Sequence, residues 1–197
     1  MNVAFIGYRC SGKTTISKAL SFKLNWNRVE LDREIEKKHK KSIPQIVKEY
    51  GWEEFRKTES ELIKKYSSYK NIILDLGGGA ILNKKNISCV KKTSILIFLE
   101  CSITTVIGRL KKSYFRPPLT DLNLEEETAK IYTERLPLYK RYSDYVINSE
   151  NLSIEQSSSL SVFFLLENRI FKKYHYPVKD NNIINTTFNQ IKIAYVH

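Results

Sequence analysis

The apolar run Val3-Ala4-Phe5-Ile6 passes directly into Gly7-Tyr8-Arg9-Cys10-Ser11-Gly12-Lys13-Thr14, and no other stretch of the chain restricts the fold so tightly. The spacing is G-x-x-x-x-G-K-[ST], a phosphate-binding loop between a buried strand and a helix. In such a loop successive backbone N–H groups wrap phosphates, the Lys13 ammonium neutralises the outer ones, and the Thr14 hydroxyl takes up Mg²⁺. Gly7 and Gly12 let the backbone turn sharply and approach a ligand, and the helix opening at Lys13 adds the positive end of its dipole. The stripe Ile16, Ala19, Leu20, Leu24 supplies the amphipathic helix that the motif requires.

The chain's 197 residues, 42% of them hydrophobic, suit one domain with a sizeable core and an appendage. No apolar run approaches the ~20 residues that cross a bilayer, and no basic-then-apolar leader precedes Val3, so the expectation is a soluble, cytoplasmic protein with no membrane partner. Three cysteines, Cys10, Cys89 and Cys101, lack C-x-x-C spacing and predict neither a disulfide framework nor a zinc site. His39, His175 and His197 are too scattered for a metal cluster and are expected at the surface. The net charge of +12 raises the possibility of an RNA binder. Its lysines, however, come as scattered pairs such as Lys37-Lys38 and Lys64-Lys65 on polar helix faces, which predicts solvated surface and a field favouring anionic small molecules, with no nucleic acid partner.

Short apolar runs place strands near 2–6, 28–31, 71–76, 94–99 and 144–148. Helical patterns run over 13–24, 32–39, 43–50, 52–67, 84–92, 103–111, 124–141 and 153–172, broken at Pro44, Gly51 and Pro117-Pro118. This alternation predicts an α/β fold, a parallel sheet covered by helices, with ligands at the strand carboxyl ends. The expected division is a P-loop domain over 1–171 and a C-terminal extension over 172–197, where the sequence turns Asn- and Tyr-rich.

A phosphate loop does not name the acceptor, so the other strand ends must be read for it. Asp32, where the second strand meets a helix, is either an N-cap or a carboxylate that deprotonates an acceptor hydroxyl. Arg56 and Glu59, three apart on one helix face, form an intrahelical ion pair or an oriented arginine fork for a substrate carboxylate. The strand Ile72-Ile73-Leu74-Asp75-Leu76 ends in Gly77-Gly78-Gly79, more glycine than packing asks for, which predicts close approach of backbone to a ligand. Asp75 is either a Walker B-type carboxylate or a structural one. Arg116, in a loop stiffened by Pro117 and Pro118, and Arg135 offer cations, the former on a lid.

Taken in chain order over residues 2–150, these segments resemble the shikimate kinase family: G-Y-x-x-S-G-K-T, L-D-x-x-I-E, G-x-x-x-F-R-x-x-E, L-G-G-G-A, R-P and E-R-x-P-L-Y. The resemblance implies a P-loop NTPase-type three-layer sandwich on a five-stranded parallel sheet. It also implies ATP-dependent phosphorylation of the shikimate 3-hydroxyl on the route to chorismate and the aromatic amino acids, by a monomer with ATP, shikimate and Mg²⁺. Carried across by position, Cys10, Ser11, Gly12, Lys13, Thr14 and Thr15 hold the ATP phosphates, and Thr14 ligates the metal. Asp32, Arg56, Gly78 and Arg135 bind shikimate, with the two arginines on its carboxylate and Asp32 near the 3-hydroxyl. Arg116 closes on the phosphates. Lys13, Asp32 and Arg116 are thus the catalytic set.

The chain departs from the family's pattern in four places. Glu30 replaces an aspartate of the Mg²⁺ environment, Cys10 stands at a small-residue position, Arg116 precedes two prolines, and Asn148–Gln156 lacks an adenine-side arginine. Competing readings are a P-loop kinase of another polyol acid such as gluconate, and an inactive binding module. Intact Lys13, Thr14 and Asp32 oppose the second.

Overall fold

The computed structural model describes residues 1–112 and 123–174. Within them the chain runs β1 (Asn2–Ile6), α1 (Lys13–Leu24), β2 (Asn27–Glu30), α2 (Leu31–His39), α3 (Ile43–Ser67), β3 (Ile72–Asp75), a 3₁₀ turn (Ala80–Leu82), α4 (Lys84–Lys91), β4 (Ser94–Glu100), α5 (Ile103–Lys111), α6 (Leu124–Tyr142), β5 (Tyr145–Asn148) and α7 (Ile154–Tyr174). Every strand pairing is parallel, and the order across the sheet is β2-β3-β1-β4-β5. Parallel strands buried on both faces need continuous apolar runs, which Val3–Ile6, Ile72–Leu74 and Ile95–Leu99 supply.

The two-residue period of the strands divides the core into two layers. Ala4, Ile6, Leu74, Leu96 and Phe98 face one side, where Leu31 and Ile35 of α2, Ile46, Phe55 and Ile63 of α3, Ile87 of α4, Val106 of α5 and Tyr139 of α6 pack. Val3, Phe5, Ile73, Ile95, Ile97 and Leu99 face the other, against Ile16 and Leu20 of α1 and Phe164 and Leu165 of α7. Helices on both faces of a parallel sheet make the expected three-layer sandwich. Strand order reverses at β1, so the crevice for ligands opens beyond its carboxyl end, where the phosphate loop begins.

Helix ends follow local chemistry. Asn25 and Lys40 close α1 and α2 in the left-handed conformation, and Ser42 with Gln45 forms a capping box at the start of α3, where Pro44 fits the first turn. The two helices expected over 43–50 and 52–67 meet at a kink at Gly51, within α3, where the φ of 78° and ψ of 171° are not helical. His39 is not simply a surface residue. Half-buried, its Nε2 lies 2.9 Å from Thr58 Oγ1 and ties α2 to α3. No described helix is long and apolar enough to cross a membrane.

Met1–Leu165 forms one compact unit, and a second unit begins at Leu166. The expected lid with Arg116, and the extension beyond Tyr174, lie outside the described residues.

Candidate active site

Two adjoining cavities open at the carboxyl ends of the strands. The larger, about 460 Å³, is lined by Cys10 to Ile16, Asp75, Arg109, Ser149 and Leu152 among others. The smaller, about 280 Å³, is lined by Arg9, Trp52, Arg56, Glu59, Gly79 and Arg135 among others. Glu30, Asp32, Gly77 and Gly78 line both, so the boundary between the halves carries two carboxylates.

The larger cavity is built from backbone. Gly7, Cys10 and Gly12 have φ of 148°, 62° and 94°. A Cβ on Gly7 would lie 2.8 Å from the Leu99 carbonyl oxygen and 2.9 Å from Ser11 Oγ, so only glycine fits there. Lys13 Nζ donates to the carbonyls of Gly7 at 2.9 Å and Tyr8 at 2.8 Å, which holds the ammonium inside the loop it must serve. Thr14 and Thr15 are exposed on the first turn of α1, and Thr14 Oγ1 donates to Asp75 Oδ2 at 2.8 Å. Asp75 is the end of β3, in register with Glu30 on β2 and Phe5 on β1. Burial raises its carboxyl pKa, and the nearby Lys13 charge and the Thr14 hydrogen bond oppose that shift.

The smaller cavity is built from side chains. Arg56 NH1 donates to both carboxylate oxygens of Glu59, at 2.9 and 2.8 Å, so the intrahelical pair exists and also aims a guanidinium into the cavity. The rings of Trp52 and Phe55 lie 5.6 and 5.0 Å from that guanidinium. Glu59 is nearly fully buried. Desolvation pushes its pKa up and the Arg56 charge pulls it down. On α6, Arg135 NH1 and the Tyr139 hydroxyl both donate to the Gly78 carbonyl, at 3.2 and 2.6 Å. Arg56 and Arg135, 79 residues apart in sequence, thus line one cavity.

Two expectations change here. Asp32 is not the N-cap of α2: Glu30 holds that position, and Asp32 sits one residue inside the helix, on the boundary of the two cavities. The three glycines after β3 each sit close against neighbouring protein, so packing asks for more glycine there than the sequence indicates. A Cβ on Gly77 would lie 2.9 Å from Asp32 Oδ1, one on Gly78 3.3 Å from the Gly7 carbonyl oxygen, and one on Gly79 inside the Arg56 guanidinium. Glycine at these positions lets Asp32, Arg56 and the Gly7 carbonyl lie close to the segment after β3.

Sequence reasoning passed over three residues. Arg109 on α5 lines the larger cavity together with Ser149 and Leu152 and donates to the Cys10 carbonyl at 3.0 Å, which gives this cavity an arginine although Asn148–Gln156 has none. It was hidden among the basic residues of a polar helix face. Arg9 forms a buried ion pair with Glu127, joining the phosphate loop to the first turn of α6. Arg28 on β2 reaches both Glu30 and Asp75. An arginine in a strand-like run was the available signal for it.

The family model described as shikimate kinase matches residues 9–164. The chain belongs to the shikimate kinase family. It is 34% identical over 154 residues to a shikimate kinase of Caldicellulosiruptor saccharolyticus, covering 78% of this chain and 89% of that one. Among solved structures, the Acinetobacter baumannii shikimate kinase in complex with shikimate superposes with a TM-score of 0.75 at 28% identity, over 85% of this chain and 93% of that one. The Aquifex aeolicus shikimate kinase does so with a TM-score of 0.75 at 30% identity, over 86% and 98%. The family match over residues 9–164 takes in the residues that line both cavities.

Proposed function

We infer that the chain transfers the γ-phosphoryl group of ATP to the 3-hydroxyl of shikimate, giving 3-phosphoshikimate and ADP. The observation that carries this reading is the pair of adjoining cavities, one walled by a phosphate loop and one by two arginines, with Asp32 on their shared boundary. A phosphate half alone would suit any P-loop kinase. The paired guanidiniums of Arg56 and Arg135 favour an acceptor with a carboxylate.

In this reading Cys10 to Thr15 cradle the ATP phosphates by their N–H groups, and Lys13 neutralises the charge that builds on the transferred group. Arg56 and Arg135 fix the shikimate carboxylate, with Glu59 holding Arg56 and the Gly78 carbonyl holding Arg135. Asp32 accepts the proton of the 3-hydroxyl as its oxygen bonds to phosphorus and the bond to the ADP oxygen breaks. Arg109 contributes the cation on the base side of the nucleotide. Arg116 closes over the phosphates and keeps water, the competing acceptor, away. The extension over 172–197 supplies no catalytic residue.

The metal side of the site suits Mg²⁺. Thr14 Oγ1 and Asp75 Oδ2, 2.8 Å apart, are hard oxygen donors, and the described residues hold no cluster of three or more metal-binding His, Cys, Asp or Glu side chains. Mg²⁺ commonly binds through one or two carboxylates plus substrate phosphates, which is what Thr14, Asp75 and Glu30 can offer. When bound, it would offset the negative charge of the β- and γ-phosphates.

The test is a coupled assay for ADP release with ATP and shikimate, gluconate or quinate. Turnover with shikimate alone is expected. Equal turnover of gluconate would overturn the acceptor assignment and leave the P-loop kinase intact.

A further inference from the structure

Below the phosphate loop, the ends of β2 and β3 set Glu30 and Asp75 side by side in register. Both are largely buried, at 18% and 5% exposure, and the Glu30 charge adds to the cost of ionising Asp75. Arg28 lies between them. Its NH2 meets Glu30 Oε2 at 2.8 Å, and its NH1 lies 3.5 Å from Asp75 Oδ2 and 3.3 Å from Ser17 Oγ on α1. The same Glu30 oxygen also takes Arg33 Nε at 3.1 Å. The oxygens best placed to hold a divalent cation beside Thr14 are therefore already engaged by a fixed guanidinium.

We propose that Arg28 is a built-in counter-ion that keeps the Glu30–Asp75 layer from holding a divalent cation until the nucleotide brings one. A guanidinium cannot lose its proton at neutral pH, so its charge is permanent and acts on any cation entering the layer. Repulsion at contact distance is strong where burial lowers the effective dielectric. Phosphate oxygens add the ligands and the negative charge that outweigh it. The consequence is order: the cation enters as its nucleotide complex, and the empty phosphate loop does not collect metal. Arg28 is in this sense a positioning residue, acting through the carboxylates. The inference rests on the metal reading of the phosphate half given above.

The experiment uses the full chain and Mn²⁺ as the probe, read by water-proton relaxation enhancement with and without ADP. Wild type is expected to bind Mn²⁺ weakly alone and clearly as the ADP complex. Arg28→Met, close in length and uncharged, should bind Mn²⁺ without nucleotide at least about tenfold more tightly, because a unit charge at contact distance is gone. Arg28→Lys keeps the charge and should stay within about threefold of wild type. Arg28→Gln replaces the Met variant if thermal melting shows that the latter does not fold. If the uncharged variant binds Mn²⁺ no better than wild type while the wild-type ADP complex forms, Arg28 only props up the carboxylates and the proposal fails. If Arg28→Lys gains as much as Arg28→Met, shape and not charge is responsible, and the proposal fails again. A wild-type protein that holds no Mn²⁺ even with ADP overturns the metal reading itself, and this inference with it.

Discussion

The two halves of the cleft are made in different ways. The phosphate half comes from eight consecutive residues, Gly7 to Thr14, whose backbone does most of the work, with Asp75 as its long-range partner. The acceptor half takes Asp32 from α2, Arg56 and Glu59 from α3, Gly77 to Gly79 from the end of β3 and Arg135 from α6. A site made of backbone leaves its side chains free for other contacts, as Tyr8 in the core and Arg9 paired with Glu127 are. A site made of converging side chains depends on every element that carries one. The first kind defines a class of chemistry, and the second defines the molecule it acts on.

This contrast is broken first by Lys13→Ala. Its ammonium offsets the charge that builds on the transferred group, so turnover should fall on the order of 10³-fold. Lys13 donates to the Gly7 and Tyr8 carbonyls of its own loop and packs no core layer, so the melting temperature should change little. A variant that unfolds would make Lys13 a structural residue and the loop less independent than argued.

Asp32 belongs to neither half alone, and Asp32→Asn tests that boundary. The substitution keeps size and removes the charge. If Asp32 takes the hydroxyl proton, kcat should fall by roughly 10²-fold or more with little loss of stability. Since Glu30 and not Asp32 caps α2, a loss of stability without a loss of rate would contradict the placement.

How far each half was legible in the sequence follows from this construction. The strand–loop–helix unit needs only local information: an apolar run, glycines at fixed spacing, a lysine and an amphipathic stripe. The five-stranded parallel sheet was legible for a related reason, because doubly covered strands must be continuous apolar runs. The acceptor half was legible only as motifs in order, since nothing local to Arg135 says that its guanidinium meets Gly78, 57 residues earlier. Arg28 and Arg109 escaped altogether. A basic residue in a chain of net charge +12 carries little information until its neighbours are known.

Arg56→Lys and Arg135→Lys sharpen the comparison from the acceptor side. Each keeps the charge and loses the planar fork that a carboxylate fits. The KM for shikimate should rise about 10-fold or more in either variant, with the KM for ATP within about twofold, because a charge-assisted bidentate contact contributes about 1.5–3 kcal/mol. Trp52 and Phe55 pack against the Arg56 guanidinium, so that variant should be the more damaging of the two. An equal loss of ATP affinity would mean that the two halves are not separable in this way.

The smallest effect concerns strain in the backbone-built half. Cys10 has a φ of 62°, in the left-handed region where a Cβ crowds the following carbonyl, and its own carbonyl is fixed by Arg109 at 3.0 Å. Gly12 and Gly7 meet the same demand without a side chain. Cys10→Gly should therefore relieve about 1–2 kcal/mol of local strain. Set against that is the greater freedom of glycine in the unfolded chain, about 0.4–1 kcal/mol, which leaves a net gain between about 0 and about 1.6 kcal/mol. For a chain of this length that is a rise of about 6 °C at most in the melting temperature, with ATP turnover close to wild type because the loop binds phosphates through its N–H groups. A fall in melting temperature would show that the Cys10 side chain contributes packing that outweighs its strain, and that even this half of the cleft relies on more than its backbone.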